Sequence, residues 1–203
     1  MVLQRWFPLR PETICERWTP ESSFRSPSLR KRLVLTVRRS PLDPRKGVIA
    51  AGPLRLRCAL GKGGTSIFKR EGDGASPVAR MAVLSAWRRP GRIAVPNLAL
   101  PSRVATRVDG WCDAPLHGAY NRPVRLPFPA SCETMVRADR LYDLVLVLDW
   151  NVRERRRSRG RAIFLHLARD GYRPTEGCVA VSRADMIRLA PLLRAGARVD
   201  IRR

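Results

Sequence analysis

Apolar positions along this chain recur mostly in short runs with the two-residue period of strands, and turn-forming clusters separate them. "LVLTV" (33–37) is a β-branched run closed by the turn signal "SPLDPRKG". "VIAAG" follows, then "LRLRCAL", where apolar and basic residues alternate as on a half-exposed strand. "GKGG" (61–64) reads as a glycine-rich turn, and 68–87 as a loop running into a strand. The segments 109–115 and 120–124 are turn-rich and aromatic, and 131–143 reads as a short helical turn or loop. "LVLVLDW" (144–150) is the most apolar stretch and predicts a central strand. A basic, hairpin-like loop (151–161) leads to the strand "AIFLHL" (162–167), and "VAVSR" leads to a helix at about 183–195. Ser182 with Asp185 suits its N-cap, Met186, Leu189 and Leu193 mark its apolar face, Pro191 kinks it and Gly196 ends it. "ARVDIR" closes the chain as an alternating strand.

Many short strands with one late helix predict a mainly β (β-rich α+β) domain, a β-sandwich or open barrel with one or two helices. Residues 1–32 follow neither period and read as a poorly ordered N-terminal extension, which leaves 33–203 as the domain. No internal repeat is visible.

Charge adds a constraint on partners. The 203 residues hold 40 Lys+Arg against 17 Asp+Glu, a formal net charge of +23. Such a field attracts polyanions: nucleic acid, an anionic lipid surface or a carboxylate-rich wall polymer. An arginine-heavy composition equally follows from a GC-rich genome. No recognition helix, RNP block or zinc finger is present, so no specific nucleic-acid partner is expected. The five cysteines (15, 58, 112, 132, 178) form no CxxC pair, and neither a disulfide framework nor a zinc finger is read from them. The N-terminus shows no signal-peptide h-region, and no apolar run reaches membrane-span length. "GKGG" lacks phosphate-loop spacing.

The candidate chemistry lies in "HLARDGYRPTEGCVAV" (166–181). Alternation puts His166 on one face of its strand with Ala162 and Phe164. The chain loops and returns at Cys178, directly after Gly177, so neighbouring strands can bring imidazole and thiol together. Such a pair makes a nucleophile, with backbone N–H groups of Gly177 and Cys178 available to an oxyanion. A hydrogen-bonded core histidine is the competing reading. A metal set of Cys112, His117, His166 and Cys178 is a third, without the spacing of a structural zinc site.

The same stretch resembles the signature of the L,D-transpeptidase family (YkuD-like domain), a His followed by S/T-x-G-C, here His166 with Thr175, Gly177 and Cys178. The blocks 58–78, 109–121, 131–143 and 162–166 look like a short proteobacterial branch of it, and the likeness covers residues 33 to 203. The resemblance implies a peptidoglycan L,D-transpeptidase. Cys178 is then the nucleophile, His166 the general base and acid, and Gly177 and Cys178 the oxyanion donors. It implies stem peptides as donor and acceptor, no metal or organic cofactor, a monomer, and work in the periplasm or cell envelope. Arg137, Tyr142, Tyr172 and Thr175 are the substrate-binding candidates. For Arg137, with Asp139 and Arg140, an internal salt-bridge cluster competes with recognition of a carboxylate. Glu176 stands where the familiar motif has a second His, and Ala79 and Met81 replace a glycine and an aromatic. The alternative is a basic nucleic-acid- or wall-binding protein without catalysis.

Overall fold

The computed structural model of the chain describes residues 32–95 and 97–203, so the extension read at 1–32 lies, Arg32 excepted, outside the described residues. In chain order the described residues form β1 (Val34–Arg39), β2 (Lys46–Ala51), β3 (Leu54–Ala59), β4 (Thr65–Ser66), β5 (Ser76–Pro77), β6 (Arg80–Arg88) and β7 (Ser102–Val104). There follow β8 (Asp109–Cys112), β9 (Pro123–Arg125), β10 (Cys132–Thr134), β11 (Leu144–Leu148), β12 (Phe164–Leu167), β13 (Val179–Val181), α1 (Arg183–Leu189) and β14 (Arg198–Arg202). The fold is mainly β, as the pattern predicts. The largest sheet runs β11-β12-β13-β3-β2-β1-β14-β6-β7, and β6 also pairs with β11, so the sheet closes on itself like a barrel. The small sheets β4-β5 and β10-β8-β9 come from segments inserted between β3 and β6 and between β7 and β11.

β11 explains its own composition. Leu144, Leu146 and Leu148 enter an aliphatic core with Leu35, Val37, Ile49, Leu56, Leu165 and Val179. Val145 and Val147 face the other way, into a second cluster with Trp87, Trp111, Met135, Tyr142 and Phe164. Both faces are covered, so every position is apolar and no alternation is visible. Each such side chain contributes about 1.5–3 kcal/mol by leaving water. β12 divides similarly: Leu165 and Leu167 join the aliphatic core, and Phe164 the aromatic cluster.

Two expectations change. β8 and β10 are strands, where the local signals predict turns and a short helical turn or loop. Trp111 of β8 joins the aromatic cluster against Trp87 and Phe164, and that tertiary contact overrides weak local propensity. The helix is shorter than 183–195. Ser182 Oγ accepts the Asp185 N–H at 3.0 Å as the cap requires, and Met186 and Leu189 are buried. Pro191 has no N–H to continue the ladder, so the chain tightens into a 3-10 turn at Ala190–Leu192.

Candidate active site

β12 and β13 run parallel, with Leu165 opposite Val179 and His166 opposite Ala180. Counting back one position puts Cys178 opposite Phe164, and the two-residue period sends Phe164, His166, Cys178 and Ala180 to the same face. The Phe164 N–H donates to Cys178 Sγ at 3.3 Å. His166 and Cys178 both line one cleft of about 370 Å³, where the imidazole is buried and the cysteine half-buried. The Tyr142 ring meets His166 edge-on, with centroids 5.3 Å apart.

His166 Nδ1 lies 2.8 Å from the Leu167 carbonyl oxygen. A carbonyl only accepts, so Nδ1 carries the hydrogen and the neutral ring keeps its lone pair on Nε2. Burial, joined by the Arg137 and Arg169 charges, brings the imidazole down to about 4 against the opposing Leu167 hydrogen bond. Burial, joined by the Glu133 carboxylate, pushes the Cys178 thiol up to about 12, while the Phe164 N–H, Arg161 and Lys69 work against it. At neutral pH the resting pair is therefore a thiol and a neutral imidazole, rather than a thiolate and an imidazolium.

The turn before Cys178 is held from several sides. Thr175 Oγ1 donates to the Cys178 carbonyl at 2.6 Å, and Ser76 Oγ donates to the same oxygen at 3.4 Å. The Thr175 backbone accepts from Lys62 N–H and donates to the Leu60 carbonyl, fastening the turn to the end of β3. Gly177 sits at φ 126°, and a Cβ there would stand 2.9 Å from the Ala75 carbonyl oxygen, so the position requires glycine. The Gly177 N–H, one of the two amides expected to meet an oxyanion, donates to Thr175 Oγ1 at 3.1 Å within the turn.

The remaining candidates divide. Thr175 lines the cleft, but its hydroxyl is spent on the turn. Tyr142 lines it too, with its hydroxyl donating to Glu133 Oε1 at 2.7 Å. Arg137 reaches the cleft, yet its guanidinium holds Asp139 through Nε at 2.8 Å and Nη2 at 2.7 Å, with Glu133 3.5 Å from Nη1. Its contacts are those of the salt-bridge cluster. Tyr172, the fourth substrate-binding candidate, lines a neighbouring cleft, with the Arg57 guanidinium over its ring. Glu176 is exposed and pairs with Lys62 at 2.7 Å.

Two residues escaped the sequence reading. Glu133 joins Tyr142 and Arg137 beside the thiol, and its separation of nine positions from Tyr142 gives no periodic hint of it. Asn121, fully buried, accepts from Trp111 Nε1 at 3.0 Å and from the Ala162 N–H at 2.6 Å, which supports the strand that carries His166. The metal alternative finds no support in position: among the described residues no three His, Cys, Asp or Glu side chains converge as a ligand set. His117 instead accepts the Ala119 N–H and packs on Phe128.

A cysteine and a histidine thus face one cleft on adjacent parallel strands of a closed β-sheet, where a thiol and an imidazole can work as a nucleophile pair. The family model for the L,D-transpeptidase catalytic domain matches residues 44–201, and the chain belongs to that family. No curated protein and no solved structure matches the chain.

Proposed function

We propose that this protein is a cysteine-dependent peptidoglycan L,D-transpeptidase, with residues 33–203 as its catalytic domain, acting as a monomer in the cell envelope. The observation that carries the reading is the shared face of His166 and Cys178, with Nδ1 of the imidazole committed to the Leu167 carbonyl. A thiol held up to about 12 beside a ring held down to about 4 calls for proton transfer during attack.

In the proposed reaction, Nε2 of His166 takes the thiol proton while Cys178 Sγ attacks the carbonyl of an L-centre in the donor stem. The oxyanion is met by the Cys178 N–H, since the Gly177 N–H is bonded to Thr175 Oγ1. The tetrahedral intermediate collapses to a thioester. The imidazolium returns its proton to the departing amine. An amine of a neighbouring stem then attacks the thioester, His166 takes its proton, and the thiol is regenerated. Arg169 and Arg173, exposed at the cleft rim, are better free to meet a stem carboxylate than Arg137, which already holds Asp139. Tyr142 acts as a positioning residue, holding the His166 ring from the side.

The test is acylation by a penem-class β-lactam followed by intact-mass measurement, with muropeptide turnover in parallel. An adduct on wild type and none on Cys178→Ala supports the proposal. Equal labelling of both proteins, or turnover surviving in Cys178→Ala, overturns it.

A further inference from the structure

We propose that Cys112 and Cys132 form a disulfide when the protein meets an oxidising medium, tying β10 to β8 beside the cleft. The two residues sit directly opposite each other in the antiparallel β8–β10 pair.

The hydrogen-bond ladder fixes which kind of opposite pair this is. The Cys112 N–H donates to the Arg122 carbonyl at 2.9 Å, and its carbonyl accepts the Asn121 N–H at 2.9 Å. Both main-chain groups of Cys112 therefore point toward the β9 side, away from Cys132. Its neighbours alternate as required: the Asp113 N–H donates to Ser131 O at 3.2 Å, and the Met135 N–H to Asp109 O at 2.9 Å. Cys112 and Cys132 thus occupy a non-hydrogen-bonded pair. Cα atoms in such pairs lie about 4.5 Å apart with their side chains close, inside the range of about 4.4–6.8 Å that a disulfide spans.

Access and chemistry suit the bond. Both residues are thiols here. Cys112 is fully buried, whereas Cys132 is half-buried on the edge strand of the small sheet, where an oxidant can reach it. The Cys132 thiolate attacks a small-molecule disulfide, such as oxidised glutathione, and expels one glutathione thiolate. Cys112, once deprotonated, displaces the second. Two S–H bonds are lost, one S–S bond forms, and the two electrons leave on two molecules of reduced glutathione. Burial, Asp113 and the adjacent Cys112 all raise the Cys132 thiol, so exchange is slow at neutral pH and the bond, once made, persists.

The bond has a bearing on the cleft. Glu133 follows Cys132 on β10 and accepts from Tyr142, whose ring packs on His166. β10 is only three residues long, with a single strand neighbour, so a covalent tie there fixes the support of the histidine. The inference does not depend on which reaction Cys178 performs.

The experiment uses full-length wild type treated with oxidised glutathione. Free thiols are capped with N-ethylmaleimide and the protein is digested with trypsin without reduction. The expected product joins peptide 108–125 to peptide 126–137, each of which carries one cysteine, and disappears with dithiothreitol. Oxidation should also raise Tm by roughly 5–10 °C in wild type and leave Cys132→Ser unmoved. Capping of both peptides after oxidation, a glutathione adduct on Cys132 that goes no further, or a link from either peptide to a different cysteine would each overturn the proposal. The peptide map needs no variant, so it stands even if Cys132→Ser fails to fold.

Discussion

The Tyr142 hydroxyl is bonded to Glu133 at 2.7 Å while the edge of the same ring rests against His166, which makes Tyr142 the link between β10 and the imidazole. Tyr142 is 5% exposed, and burial with the neighbouring Glu133 carboxylate keeps its phenol protonated. Tyr142→Phe keeps the ring but removes a hydrogen bond to a charged group. The expected loss of stability is about 1.5–3 kcal/mol, read by urea denaturation. Tyr142→Ala also opens a cavity and should lose about 3–5 kcal/mol, together with the acylation rate. Equal effects of the two substitutions would show that the hydroxyl alone matters.

Reactivity of the thiol should follow its protonation state. With Cys178 held up to about 12, its alkylation by iodoacetamide should climb about tenfold per pH unit from pH 7 to 10 without a plateau. Mass spectrometry of the tryptic peptide 170–183 reads the site. A plateau reached below pH 8 would mean a preformed thiolate and refute the resting pair described above. Turnover, by contrast, should fall only on the acid side, as His166 takes a proton near pH 4.

Stability should have a plateau bounded by His166 on the acid side and by Cys178 and Cys58 on the alkaline side. His166 has a folded pKa of about 4, below its ordinary 6.5. Its contribution is full above 6.5 and is lost as pH falls from there through 4, because the unfolded chain takes the proton first. Cys178 and Cys58 are both raised from 9.0 to about 12, so their contributions are full below 9 and are lost as pH rises from 9 toward 12. Tm measured against pH should therefore be flat from about 6.5 to 9 and fall on both sides. Cys178→Ala should shallow the alkaline fall. An unchanged alkaline limb would contradict the assignment.

The turn before Cys178 offers a paired test. Thr175→Val removes the hydroxyl that donates to the Cys178 carbonyl and accepts the Gly177 N–H, leaving a buried N–H unpaired. The expected cost is about 1–3 kcal/mol, and Thr175→Ser should recover most of it. Penem acylation should slow in Thr175→Val and recover in Thr175→Ser.

Gly177→Ala places a Cβ 2.9 Å from the Ala75 carbonyl oxygen in a backbone that disfavours any side chain. A loss of about 1–3 kcal/mol and of acylation is expected, by thermal denaturation and intact mass. A variant as stable as wild type would show that the turn relaxes freely.

Local pattern carried much of the fold. The uninterrupted apolar run 144–148 could only be a strand covered on both faces, and Ser182 with Asp185 announced the start of α1. The strand-loop-strand course from His166 to Cys178 was likewise readable, since alternation fixes a face and Gly177 marks the tight return. β8 and β10 were not readable. At four and three residues they carry too little alternation, and their stability comes from the aromatic cluster that Trp111 of β8 joins with Trp87 and Phe164.

The sequence by itself determined the chemical types at the site and the strands that bear them, because period and turn chemistry act over a few neighbouring residues. Only the tertiary structure decided which groups meet across long stretches of chain. It set Glu133 against Tyr142, committed the Gly177 N–H to Thr175, moved Tyr172 to another cleft and placed Cys112 opposite Cys132. Strand register and closure of the sheet are long-range pairings, and a one-residue slip would send each of these side chains to the opposite face.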